Sequence, residues 1–285
     1  MDNYEQQQYQ KIAEWKNQAP SVVSRTVGKL LKPITWVVNK VIPPKAIEGV
    51  LVACNGMAEI ITDCNDIIRD AQVSKISDLQ TKDLHLSDQL ANEVHNWAIG
   101  VAAAEGLATG ATGVYGLIAD VPALITMSFR VVHKIGLCYG FECKTEADKQ
   151  FVMGVLSAAG ANSLSEKAAS VAVLQRMNTM IAKNTWKKLA EKAATNPRGI
   201  EAVIIGIKSV AKRLGINITK RKALQAIPII GAGVGAAINT AFLNDVAWAA
   251  RRNFQERCHW QKESALCVCN DAFGQNRWCI CSRWQ

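Results

Sequence analysis

Two long stretches, nearly free of charge and rich in small residues, constrain this chain more than any other feature: Ala98 to Phe129 and Ala223 to Asn244. The first spans 32 residues with Glu105 and Asp120 as its only charges, and the second spans 22 with none. Each is long enough to cross or enter a bilayer. Each also carries glycines at spacings that let helix backbones approach closely, Gly106, Gly110, Gly113 and Gly116 in one and Gly231, Gly233 and Gly235 in the other. A chain built this way folds either at a membrane or around a tight helical core. Because Gly and Ala contribute little transfer energy, both blocks are weaker insertion signals than Leu-rich spans.

Charge narrows the choice of partner. The chain of 285 residues carries a formal net charge of +9, unevenly spread: residues 183 to 222 hold eleven bases against Glu191 and Glu201, and residues 46 to 95 hold nine acids against three bases. Such polarity reads as attraction to an anionic surface. Aromatics make up 6% of residues and few stand among the bases, so stacking platforms for nucleic acid are missing and anionic membrane lipid is the expected partner. The first ten residues, MDNYEQQQYQ, have no apolar secretory core, which predicts a cytoplasmic protein, peripheral or re-entrant at the inner face of the membrane.

Between Ser21 and Ile42 lies a basic amphipathic segment. Val23, Val27, Leu30, Ile34, Val37 and Val41 repeat at helical spacing, with Arg25, Lys29, Lys32, Trp36 and Lys40 as a second stripe. It reads as a helix lying on a lipid surface, or as an ordinary surface helix with its valines on a core; Pro33 implies a kink or two short helices. Lys220, Arg221 and Lys222 abut the second glycine block, and Arg251-Arg252 follow it, so that bases on both sides favour a re-entrant or peripheral mode over a single span. Three regions emerge: a basic N-terminal segment (1–45), a helical domain (46–257) and a Cys/Trp-rich tail (258–285).

Periodicity predicts an all-α fold, a multi-helix bundle with glycine-rich hydrophobic helical hairpins. A helix is expected over Ala46 to Asp70 with Glu59, Asp63, Asp66 and Asp70 along one face, and another from near Ser87. A break is expected at Asp120-Val121-Pro122, since proline disfavours helix in the residue before it. Helix resumes to about Cys138, where Tyr139-Gly140-Phe141 gives a glycine stop signal. Two Ala-rich helices follow over 145 to 195, jointed near Gly160-Ala161-Asn162-Ser163, and no alternating strand pattern occurs.

Certain strings, in order, resemble the EcsC family of bacterial proteins. They are Glu105-Gly106 with Gly110 and Gly113, Ala119-Asp120-Val121-Pro122-Ala123-Leu124, Phe129-Arg130, Leu137-Cys138-Tyr139-Gly140-Phe141, the run Ile227 to Asn239, and Ala250-Arg251-Arg252-Asn253-Phe254. The resemblance covers about residues 46 to 257. It implies a mostly helical, hydrophobic protein associated with membrane or transport functions, with a membrane protein or transporter as a further partner, and it supplies no reaction or ligand.

Three constellations carry chemistry. Glu105, Asp120 and Arg130 are the only full charges between His95 and His133, and isolated charges in an apolar setting must pair or neutralise. An Asp120 to Arg130 bridge, with Tyr139 and Asn239 joining, is the expected buried polar cluster. His85, Asp88, Asn92 and His95 share one helical face beside the carboxylate stripe, and they read either as a solvated acidic face or as a metal site, the latter without the Glu-x-x-His pairs of bundle metal centres. Cys258, Cys267, Cys269, Cys279 and Cys281 crowd the tail, which reads as a variable appendage or, with thiolates this dense, as a zinc or disulfide site, although C-x-C spacing departs from the usual knuckles. No other cofactor is expected. With no catalytic order, phosphate loop or H-E-x-x-H string, an enzyme is the less favoured class. The rival readings are a soluble helical adaptor, and a metal protein or enzyme using the His85/His95 face or the tail.

Overall fold

The structure is a computed structural model that describes residues 2–22, 25, 44–109, 113–182, 217 and 231–272, with side chains over 2–22, 25, 48–104, 122–179, 217 and 237–262. Every regular element among them is helical, as the periodicity predicts.

Local signals account for most boundaries. The first helix, α1 (Asn3–Asn17), starts at Asp2, whose Oδ1 accepts the Glu5 N–H at 2.6 Å. This Asp-x-x-Glu start is a local signal that the polar composition of the segment obscures. Helix α2 (Pro44–Ile61) begins on a proline, which suits a first helical position. The single helix expected over 46–70 is in fact two. Thr62 donates its hydroxyl to the Ala58 carbonyl at 2.6 Å and Asp63 Oδ1 takes the Asn65 N–H at 3.1 Å, so the chain turns and restarts as α3 (Asn65–Ala71). A 3-10 turn (Ile76–Thr81) leads into α4 (Leu84–Thr109).

Helix α5 (Gly113–Cys138) runs through Pro122 without the expected break. Proline removes one backbone donor, and the turns on either side hold the helical path. At the C-terminal end the sequence signal is accurate: Gly140 sits at φ 86°, with Phe141 N–H on the Gly136 carbonyl and Gly140 N–H on the Leu137 carbonyl, both at 2.9 Å. Helix α6 (Glu146–Ala159) opens with a reciprocal cap between Thr145 and Asp148, α7 (Leu164–Ala182) follows the small-residue joint, and α8 (Gly231–Ala272) closes the described chain. The boundary expected at residue 257 falls inside α8.

Helix α8 is the spine. It packs most extensively on α4 and also on α5, α6, α7 and α1, while α2 lies against α5. Phe254 of α8 is at the centre of the core, its ring 5.3 Å from Phe151, 5.6 Å from Phe141 and 6.4 Å from Tyr139 between centroids. Gly136 makes this approach possible, since a Cβ there would lie 2.8 Å from Phe254 Cζ. Among the described residues no helix is long and apolar enough to cross a membrane.

Candidate functional site

The middle of α8 places Arg251, Arg252, Asn253, Gln255, Glu256 and Arg257 in the interior, each less than a tenth exposed. Buried polar groups must find partners or lose several kcal/mol, and here the partners come from α1, α4 and α6. Asp88 of α4 accepts the hydroxyl of Tyr4 at 2.6 Å, the side-chain amide of Gln255 at 2.6 Å and the hydroxyl of Tyr139. Burial, reinforced by the Asp88 charge, pushes both phenols well above their usual range, so they remain donors.

Arginine contacts continue this network. Among the described residues Arg252 bonds through Nη1, to Gln8 Oε1 at 2.9 Å and Gln255 Oε1 at 2.8 Å, and burial lowers its pKa. Arg251 reaches Asn92 Oδ1 at 3.1 Å. Both guanidinium groups lie over Trp248, at 4.6 Å for Arg251 and 5.0 Å for Arg252, and His95 meets the same indole edge-on at 5.2 Å. His95 Nε2 lies 3.0 Å from Asn244 Oδ1, and burial lowers its pKa. Lys16 pairs with Glu256 at 2.5 Å, and Lys262 pairs with Glu5. Helix α1 is therefore held chiefly by polar contacts, with Gln8 and Ile12 its only fully buried side chains.

Beside this network lies a cleft of about 560 Å³, walled by α1 and the residues after it (Lys11, Trp15, Pro20, Ser21), by Lys167 of α7, and by Asp245, Trp248 and Arg252 of α8. Lys167 is 4% exposed. Its Nζ donates to the carbonyls of Gln18, at 2.9 Å, and Trp15, and sits 4.2 Å from the Trp15 ring centre. Burial lowers its pKa to about 8.

A different surface is apolar. Helix α2 buries Leu51, Cys54 and Ala58, yet its outward side exposes Val50, Val52, Met57, Ile60 and Ile61, with Ile60 85% exposed. Such a helix is apolar around most of its circumference. The neighbouring acids are held from behind, Glu59 by Lys149 at 3.4 Å and Asp66 by Lys134 at 2.5 Å.

The residues singled out from the sequence fall partly within and partly outside the described residues. Arg25 is exposed and its backbone N–H donates to the Ser21 carbonyl at 3.0 Å, whereas Lys29, Lys32, Trp36, Lys40, Gly110, Lys220, Arg221 and Lys222 lie outside the described residues. Gly106 is in α4, Gly113 opens α5, and Gly231 and Gly235 stand in the first turns of α8. The side chains of Glu105 and Asp120 are outside the described set; Arg130 lies 4.9 Å over Trp97. Tyr139, grouped with them from the sequence, turns its hydroxyl to Asp88, and Asn239 is 1% exposed. Arg251 and Arg252, expected as basic flanks of a membrane-facing block, are interior residues of the bundle.

The described thiol and imidazole candidates each have a partner of their own. Cys258 turns Sγ toward the Tyr139 carbonyl at 3.7 Å, and burial pushes its thiol up to about 12. Cys267 and Cys269 belong to α8 with side chains outside the described set, as are Cys279 and Cys281 entirely. His85 packs edge-on against Tyr4 at 5.0 Å while Asp88 and His95 serve the interior. Among the described residues no three His, Cys, Asp or Glu side chains converge as metal ligands. Tyr4, Gln8, Lys167 and Gln255 were invisible as site residues, because each is a lone polar residue without a motif.

Comparison with known proteins gives one family and two relatives. The model of the EcsC protein family matches residues 6–258. A Bacillus subtilis (strain 168) protein described as "Uncharacterized protein YdbA" is 23% identical over 245 residues, covering 84% of this chain and 79% of that protein. "Protein EcsC" of the same organism is 25% identical over 226 residues, covering 79% of this chain and 84% of that protein. No solved structure matches.

Proposed function

The chain belongs to the EcsC protein family, and from that premise we propose that it is a peripheral membrane protein that presses the outer face of α2 into an anionic lipid surface on the cytoplasmic side. The exposed row of Val52, Met57, Ile60 and Ile61 carries this reading. Fully burying such side chains is worth about 1.5–3 kcal/mol each, and partial burial of four amounts to a few kcal/mol. That is the strength of a marginal, reversible anchor, which becomes stable when a basic segment adds attraction to anionic headgroups. The net charge of +9, concentrated in the Arg25 to Lys40 and 183 to 222 stretches, supports that second component.

Co-sedimentation with phosphatidylglycerol-containing vesicles tests the proposal. Wild-type protein should bind at low salt and release at high salt, and the double variant Met57→Glu/Ile60→Glu should bind at least tenfold more weakly with unchanged thermal stability. No binding at low salt, or binding indifferent to the double variant, would remove the basis for a lipid role of α2.

A further inference from the structure

We propose that the cleft between α1, α7 and α8 is a binding site for an organic phosphate, gripped by Arg252 and Lys167 with Lys11 at its mouth. The cleft, at about 560 Å³, has the volume of a small-molecule site, for which ~300–1,000 Å³ is usual. Its floor holds two buried cations, Arg252 at 8% and Lys167 at 4% exposure. Buried charges are ordinarily met by an opposite charge, because desolvation costs more than neutral partners return. Among the described residues the hydrogen-bond partners of both are neutral, two glutamine side-chain oxygens for Arg252 and two backbone carbonyls for Lys167, while Asp88 and Asp245 act on them as nearby charges.

Arg252 also retains donors. The Nε of Arg251 and the Nε and Nη1 of Arg257 are sealed in protein without an acceptor. Arg252 lines the cleft, and among the described residues its Nε and Nη2 form no hydrogen bond, both of its bonds leaving from Nη1. An ammonium has three protons, of which Lys167 commits two to carbonyls. A guanidinium fork and an ammonium lining one cleft suit a phosphate group, the fork binding two oxygens and the ammonium acting as a point charge. Ser21 and Asn244 add polar groups, and Trp15, Pro20, Ala158 and Ala159 form an apolar wall for the organic body. Asp245, bonded to Ser21 at 2.8 Å, and Glu14 also face the cleft, which limits the charge of the group accepted.

The phosphate source is either a soluble monoester or a lipid headgroup. Helix α2 makes its main contacts with α5, away from this cleft, so the site stands whether or not α2 meets lipid.

Calorimetric titration of the full-length protein with phenyl phosphate, inorganic phosphate and sub-micellar short-chain phosphatidic acid decides the matter. Phenyl phosphate or the short-chain lipid should bind more tightly than inorganic phosphate. Arg252→Lys and Lys167→Met should each weaken binding about tenfold or more, the scale of one charge-assisted hydrogen bond. Because these two positions are buried, Lys11→Gln provides a readout free of folding effects: a several-fold loss of affinity at unchanged melting temperature. Binding of the lipid alone, still dependent on Arg252 and Lys11, assigns the headgroup as the source. Retention of binding by Met57→Glu/Ile60→Glu separates the cleft from the lipid role of α2. The proposal is overturned if no probe binds, or if binding is indifferent to the Arg252 and Lys11 variants.

Discussion

Arg257 Nη2 lies 2.5 Å from Asp148 Oδ1 in the interior, with side-chain exposures of 7% and 12%, and this contact joins α8 to the cap of α6. Burial alone would raise the Asp148 carboxyl; the Arg257 charge, with the Thr145 hydroxyl and N–H, outweighs it and holds the pKa below the usual value. The guanidinium also lies over two rings, 4.4 Å from the Phe141 ring centre and 5.0 Å from that of Phe151.

Breaking this pair should be expensive. Asp148→Asn is expected to cost about 3–5 kcal/mol, the range for stranding one member of a buried ion pair. Since the folded pKa is depressed, the stabilisation is present above the unfolded carboxylate value and disappears as pH falls through the folded one. Urea unfolding from pH 7 to pH 3 should therefore show a loss at the acid end that the variant lacks.

His133 predicts a second acid sensitivity, at higher pH. Its Nε2 is 2.8 Å from Asn55 Oδ1, and burial lowers its pKa to about 4. The unfolded chain takes up the proton near pH 6.5 and the folded chain only near 4, so stability falls as pH drops through that interval, by up to ~3 kcal/mol. In His133→Gln, denaturant midpoints between pH 6.5 and pH 4 should fall less steeply.

Gly140→Ala should destabilise by about 2 kcal/mol or more. The residue sits at φ 86°, and an added Cβ would meet the Gln80 backbone nitrogen at 2.9 Å and its Cγ at 2.6 Å. The Gln80 amide also donates to the Gly140 carbonyl at 2.7 Å, so a shift of the turn would loosen the 3-10 segment. Thermal melting compares the variant with Gly136→Ala, which instead presses on Phe254.

Arg130→Ala distinguishes two environments. A cation over Trp97 at 4.9 Å is worth about 0.5–1 kcal/mol at a partly exposed site. A buried bridge to Asp120, as the sequence suggests, would cost about 3–5 kcal/mol to break. Chemical denaturation of Arg130→Ala and Trp97→Ala, with their double variant, should give the smaller value for Arg130→Ala and a coupling of the same size between the two.

Local information carried the fold class a long way. Helical periodicity, the Gly140 stop and the small-residue joint at 160–163 all depend on residues within a turn or two of each other, so they are readable in order along the chain. The same locality misled at Pro122, where the flanking turns outweigh one lost hydrogen bond, and over 46–70, where a threonine and an aspartate turn the chain between two helices.

Which charges lie inside is a different kind of question. Arg251 and Arg252 follow a glycine-rich block and read as surface bases, because nothing nearby indicates that they are covered. Their interior position depends on groups far off in sequence: Gln8 lies 244 residues from Arg252, and Asp88 lies 84 from Tyr4 and 167 from Gln255. A hydrogen bond is set by distance and angle in space, and a polar residue has no periodicity to announce its partner. Composition and spacing thus specified helices and an apolar excess, while only the packing of α1, α4 and α6 onto α8 decided which polar groups became a network and which face stayed apolar and exposed.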